Sequence, residues 1–353
     1  MTTQSGITVE SPGKPWTIVS SIPRPSPGKK QALVRSVVVG LNPVDPMQQQ
    51  YGILVDEWPA VLGSDFAGLV LEVGEGCTKL KTGDYVFSCA FIGQNRYTPL
   101  QENFLVDEDL VFKKDEGTSL QGGSTFGAGL LTASLGLLAG TGITLPAPGT
   151  TPPKKEDWII ILGGSGTVGQ FAVQLAKLCG YNVLASSSPS KASIPIRQGA
   201  TTTFDSRAAL EQQIAEIKKV TGGAFARVFD ASAAGYDLAI NALESASEAP
   251  VKYFSSVDDW SPFNTPSTIK EYRAELGHLG RYDEDLGATV SKQIAEWIPN
   301  LEEHIKHGSI KAIDYELVEG LGWEKAIEGL EKLTDGKATR KLAVVVGTEA
   351  VQS

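Results

Sequence analysis

Three glycines carry the strongest chemical signal in the chain. Gly164, Gly166 and Gly169 form the pattern G-x-G-x-x-G, directly after the continuous apolar run Trp158–Leu162 and at the start of a stretch with helical spacing. In that setting the first glycine permits a tight turn, the second lets backbone approach a pyrophosphate, and the third lets helix pack on strand. Amides at the helix N-terminus then face the phosphates. The pattern predicts a dinucleotide site built from Gly164, Ser165, Gly166, Thr167, Val168 and Gly169. The end of the next apolar segment, 183–185, decides which dinucleotide. An acid there would hold the ribose hydroxyls of NAD. The chain instead runs Ser186-Ser187-Ser188-Pro189-Ser190-Lys191, with no acid. Hydroxyls from Ser187, Ser188 and Ser190 with the Lys191 cation suit a 2′-phosphate, so NADP(H) is the expected cofactor.

Those residues need a sheet to hold them. Residues 168–178 place Val168, Phe171, Ala172, Leu175 and Ala176 on one helical face. Residues 209–220 and 238–243 also have helical spacing, and 228–230 and 251–254 read as short strands. Strands alternating with helices imply a doubly wound parallel sheet. The N-terminal part differs. Short β-rich segments at 17–19, 32–39, 67–73 and 85–87 are broken by turns at 74–76 and 83–84, which suggests a barrel or sandwich. Residues 145–153, rich in Pro and Thr, read as a loop. From about 310 the chain returns to β character, with 312–318 and 341–346 strand-like around an amphipathic helix at 323–333. The simplest arrangement has the C-terminus completing the N-terminal domain. The expected fold is α/β: residues 1–122 and 306–353 form a β-barrel domain, and 123–305 form the dinucleotide-binding domain inserted in it.

The chain has 353 residues, 41% hydrophobic and 20% charged, enough for two domains with their own cores. A net charge of −10 argues against nucleic acid or an anionic membrane as partner. The most apolar stretch, 126–140, is too short and glycine-rich to span a bilayer. No secretory leader pattern opens the sequence. Cys77, Cys89 and Cys179 lie far apart, as reduced thiols do in a cytosolic protein. A cytoplasmic monomer is expected.

Four motifs occur in the order and spacing of the medium-chain dehydrogenase/reductase superfamily: Asn42-Pro43-Val44-Asp45, Gly63-Ser64-Asp65-Phe66-Ala67-Gly68, Gly83-Asp84-Tyr85-Val86-Phe87 and the glycine run 163–169. The chain resembles that family over nearly its whole length. The resemblance implies a Rossmann doubly wound parallel sheet inserted in a GroES-like β-barrel domain. In the family's zinc alcohol dehydrogenases a Cys sits near position 42 and a Gly-His-Glu near 63–65; here those places hold Asn42 and Gly63-Ser64-Asp65. The four-Cys structural-zinc lobe has no counterpart. The histidines are His278, His304 and His307, and no tetrahedral zinc site can be drawn. His304 and His307, beside Glu303 and Lys306 on a helical stretch, read as a solvated face. No metal is expected.

Among zinc-free members the chain is most similar to the fungal trans-acting enoyl reductases that serve polyketide synthases. The supporting segments are Leu145-Pro146-Ala147-Pro148, Gly277-His278-Leu279-Gly280 and Gly336-Lys337-Ala338-Thr339-Arg340-Lys341-Leu342. This resemblance implies hydride transfer from NADPH to the β-carbon of an α,β-unsaturated thioester on an acyl carrier, then protonation of the α-carbon. It places Asn42, Pro43, Val44, Asp45 and Thr132 beside the nicotinamide. Thr132 is the candidate catalytic hydrogen-bond donor, or else a capping or packing residue. Ser206, Tyr253, Phe254, Arg340 and Lys341 are assigned to the cofactor; Met47, Ala133, Leu137 and Gly277 are assigned to substrate. Two departures stand out. Relatives follow Asn-Pro-Val-Asp with an aromatic residue and Lys, where this chain has Pro46-Met47. They also carry Tyr near the adenosine phosphate, where this chain has Ser206. Reduction of free quinones or enones, and non-redox isomerisation or cyclisation on the same scaffold, remain alternatives.

Overall fold

The computed structural model describes residues 2–150 and 152–348, so Thr151 of the 145–153 loop lies outside the described residues. The backbone divides into two compact units. One contains the N-terminal segment through Ala128, Gly277–Glu302 and the C-terminal segment from Ala312; the other contains Gly129–Leu276 and Glu303–Lys311.

In the first unit, strands Tyr315–Leu317, Lys341–Val345, Gln31–Leu41, Asp65–Val73, Tyr85–Cys89 and Phe112–Lys113 lie side by side, and Asn103–Asp107 also pairs with Gln31–Leu41. A smaller sheet places Thr3–Val9 between Thr17–Pro23 and Ala60–Val61. The C-terminal strand runs antiparallel to Gln31–Leu41, with Leu342 opposite Leu41 and Val345 opposite Val38. The C-terminus therefore completes the N-terminal domain. Leu41, Leu342 and Val344 share a core with Ile7, Leu62 and Leu330. Only Tyr315–Leu317 of the 312–318 segment is strand, because its pairing with the C-terminal strand stops after three residues. Gly277–Glu302 packs with this unit, unlike the boundary read from sequence. Arg281 fixes it there by donating to the Leu54 and Ile92 carbonyls at 2.9 and 3.1 Å and pairing with Asp56 at 2.5 Å.

The second unit is a six-stranded parallel sheet in the order Thr202–Asp205, Asn182–Ser187, Trp158–Leu162, Phe225–Asp230, Lys252–Ser256, Ile269–Arg273. This is the doubly wound dinucleotide-binding order, with ligands expected outside the carboxyl ends of the strands. Ile159, Ile160 and Ile161 are fully buried, as a strand covered on both faces requires. Helix Thr167–Leu178 buries Phe171, Ala172, Leu175 and Ala176. His304 is not on a solvated face. It is 1% exposed, and its Nε2 lies 3.1 Å from the Pro146 carbonyl. Helix Asp285–Lys306 ends before His307, so only that ring stays in solvent. Among the described residues no helix is long and apolar enough to cross a membrane.

Candidate functional site

The glycine loop follows strand Trp158–Leu162. Gly163, with φ +75°, makes the left-handed turn one residue ahead of the motif. The Gly164 N–H then donates to the Ser186 carbonyl at 2.9 Å, tying the loop to the neighbouring strand. A Cβ on Gly164 would stand 2.8 Å from the Ala185 Cβ, and one on Gly169 only 2.1 Å from the Gly163 carbonyl oxygen. Gly166 is different. It is exposed, its φ of −75° suits any residue, and a Cβ there would meet nothing nearer than the Gly163 oxygen at 3.4 Å. The chain's own packing therefore demands glycine at 163, 164 and 169 but not at 166. A ligand pressed against the backbone would demand it. Gly166 also begins helix Thr167–Leu178 without a side-chain cap, leaving first-turn N–H groups for an anion. The cradle fits a dinucleotide pyrophosphate.

The predicted adenosine-phosphate residues come together at the ends of two neighbouring strands. Ser187 pairs with Asp205, and the Ser206 N–H donates to the Ser187 carbonyl at 3.1 Å. Ser187 is buried with its hydroxyl on the Ser188 carbonyl, while Ser190 and Lys191 are exposed. Arg207 follows directly. It is exposed, its N–H donates to the Asp205 carboxylate at 2.9 Å, and among the described residues its guanidinium has no partner. Sequence reasoning passed over this cation, although its position beside the unusual Ser206 was the available signal.

Other predicted residues of this unit lie elsewhere. Phe254 is fully buried in the core, with Tyr236 and Phe263 against it. Tyr253 sits near the N-terminal end of strand Lys252–Ser256, with the Arg227 guanidinium 5.1 Å from its ring centre. The carboxyl end of that strand holds Ser255 and Ser256 instead. Ser256 donates to Asp230, whose carboxylate also accepts from Ser232 and the Gly235 N–H. Asp230 thus shapes the loop after its strand, a role with no motif to announce it. Thr132, on helix Gly127–Ser134, is 9% exposed, and Ala133 and Leu137 are fully buried. Leu137 lies in a π-helical turn, Leu135–Ala139, a feature frequent near functional sites.

The first unit gathers the second set of predicted residues into one buried polar network. Asn42 donates from its backbone to Asp45 at 2.7 Å and from its side chain to Ser64 at 2.7 Å. Ser64 donates to the other Asp45 oxygen at 2.8 Å. Lys341 donates to the Asn42 carbonyl oxygen and to Asp65, both at 2.5 Å. The second Asp65 oxygen accepts the Ala128 N–H at 2.6 Å. Burial pushes the Asp45 carboxyl up to about 7 from its ordinary 3.8, against the opposing pull of Asn42, Ser64 and Lys341. Burial and the Asp65 charge push the Cys89 thiol well above its ordinary range. Lys341 is thus tied up internally, whereas its neighbour Arg340 is exposed. Helix Val44–Tyr51 turns Asp45 and Gln48 inward and leaves Pro43, Met47 and Tyr51 outward. Gly277 packs on Leu54, whose Cδ1 would be 2.6 Å from an added Cβ.

Residues 28–117 match the alcohol dehydrogenase GroES-like domain. Trans-enoyl reductase traG of Penicillium crustosum is 27% identical over 361 residues, covering 97% of each protein. Trans-enoyl reductase caaB of Aspergillus niger is 34% identical over 213 residues, which span 57% of this chain and only 57% of that relative. A mycobacterial protein, Rv1454c, solved in complex with NADPH, superposes with a TM-score of 0.73 at 22% identity over 97% of this chain and 99% of that one. The chain has the medium-chain dehydrogenase/reductase fold, with a GroES-like domain at residues 28–117.

Zinc-dependent members of the medium-chain dehydrogenases/reductases would need thiolate or imidazole donors at 42 and 64. Here an amide and a hydroxyl stand there, and a lysine ammonium lies between Asn42 and Asp65. A dication would meet that positive charge at hydrogen-bond range, and the remaining donors are poor zinc ligands. This donor set does not fit zinc.

Proposed function

We propose that this protein is an NADPH-dependent enoyl reductase acting in trans on an α,β-unsaturated polyketide thioester held by an acyl carrier. The observation that carries the cofactor half is the open Gly166 cradle beside an acid-free turn bearing Ser188, Ser190 and Lys191. The likeness to trans-enoyl reductases caaB and traG supports the substrate half.

Bound NADPH would supply the hydride; the protein supplies orientation and electrostatics. Backbone N–H groups at the start of helix Thr167–Leu178, those of Thr167 and Val168, would hold the pyrophosphate. Lys191 and Arg207 would hold the 2′-phosphate. Within the first unit, Asn42 to Asp45 are the residues proposed for the nicotinamide; within the second, the Thr132 hydroxyl would donate to the oxygen on which enolate charge develops. The buried network keeps Asn42 rigid, since its side-chain amide is bonded at both ends. No metal takes part, and the enzyme works as a cytoplasmic monomer.

Comparing one enoyl group on an acyl carrier and on a free thiol tests the substrate class. Higher kcat/KM on the carrier is expected. Turnover confined to free quinones or enones would replace this reading with the small-molecule reductase, which the apolar Met47 and Tyr51 face of helix Val44–Tyr51 would also suit.

A further inference from the structure

The buried network of the first unit has a cation at its centre, Lys341, whose hydrogen bonds go to buried groups of the same unit. The Lys341 side chain is 1% exposed and Asp65 is fully buried, yet the two form an ion pair at 2.5 Å. The same ammonium donates at 2.5 Å to the Asn42 oxygen. Because an ammonium can only donate, it fixes the Asn42 amide with oxygen toward Lys341 and nitrogen toward Ser64. Asn42 and Asp65 occupy two of the positions at which zinc alcohol dehydrogenases place their metal-site residues.

We propose that the Lys341 ammonium is a protein-supplied cation that takes the place of a metal ion here, with Asp65 and Asn42 as its ligands. Its charge neutralises the Asp65 carboxylate, which is otherwise buried without a cation. Through Asp65 it holds the N–H of Ala128 in helix Gly127–Ser134, and through Asn42 it holds the start of helix Val44–Tyr51. A lysine from the C-terminal strand thus organises segments that a bound ion would otherwise draw together. Lys341 acts through Asn42 and Asp65 and is a positioning residue. The proposal does not depend on the enoyl substrate: it holds or fails on cation chemistry alone.

The test removes the cation and returns it. Lys341→Ala deletes the propylammonium portion of the side chain. Its Tm should fall, and added propylammonium should restore it toward wild type. Tetramethylammonium at equal ionic strength cannot donate a hydrogen bond and should not. Wild-type protein prepared with zinc in the medium should hold no stoichiometric metal, and chelators should leave its Tm unchanged. Should Lys341→Ala fail to fold, proton–nitrogen spectra of wild-type lysine ammonium groups decide. One signal should be protected from water exchange and vanish in Lys341→Arg. Stoichiometric zinc in wild type, a Lys341→Ala variant as stable as wild type or unresponsive to propylammonium, or the lack of a protected ammonium signal would each overturn the proposal.

Discussion

Lys191 and Arg207 lie just beyond the ends of two adjacent strands, and under the proposed function they would discriminate NADPH from NADH. A charge-assisted contact to phosphate is worth roughly 1.5–3 kcal/mol, so Lys191→Ala and Arg207→Ala should each weaken NADPH binding about 10- to 100-fold. NADH affinity should barely change, and fluorescence titration of both cofactors measures it. A uniform loss for both would mean the cations serve the fold. Met47 poses a second question at this scale. It is 37% exposed on the outward face of its helix, at the place where the family resemblance implies a Lys. Met fills space without donating a hydrogen bond. Met47→Lys should therefore raise kcat, because a donor near the reacting carbonyl acts on the transition state. A change confined to the Michaelis constant for NADPH would instead assign the lysine to cofactor binding.

Elements explain why the four loop glycines are not equivalent. Gly169→Ala pushes a methyl into the Gly163 carbonyl and should destabilise the protein by about 1–3 kcal/mol, read as a lower Tm. Gly166→Ala should leave Tm near wild type and cut NADPH affinity, the reverse signature. Asp45, at the start of helix Val44–Tyr51, gives the barrel unit a pH dependence. Its folded pKa of about 7 exceeds the ordinary 3.8, so between these values the folded state keeps a proton that the unfolded chain releases. Stability is then highest below about pH 4 as far as this group is concerned. It falls as pH rises toward 7, by at most about 4 kcal/mol, and is flat above that. Denaturant titrations from pH 4 to 8 should show this slope in wild type and lose it in Asp45→Asn. The elements legible in the sequence were those with one dominant signal, such as Trp158–Leu162, whose apolar run reflects burial on both faces. Helix Val44–Tyr51 was hidden because Pro46 looks like a breaker, yet a first helical turn needs no N–H there. His304 looked solvated among charges, and only a distant loop carbonyl, that of Pro146, makes burial tolerable. Asp230 escaped notice because its partner Ser256 is set by strand register, which no local motif encodes, whereas Arg207 was passed over despite adjoining Ser206.

For the whole molecule, the largest fact is that the first unit is assembled from both ends of the chain. Asn42, Asp45, Ser64, Asp65, Ala128 and Lys341 meet in one network although Asn42 and Lys341 are 299 positions apart. That closure was foreseeable from the return of β character after the parallel sheet, but the buried Lys341 was not: the resemblance assigned it to the cofactor, and its partners Asn42 and Asp65 lie far away in sequence. The proposed activity is reduction of a conjugated thioester with NADPH. The direct measurement follows nicotinamide absorbance and product mass together, in metal-free buffer, with an α,β-unsaturated acyl carrier thioester. One NADPH should be oxidised for each thioester that gains two hydrogens, with chelators harmless and NADH far slower. Absence of NADPH oxidation with any conjugated thioester, while NADPH still binds, would contradict the account and leave a non-redox enzyme on a reductase fold.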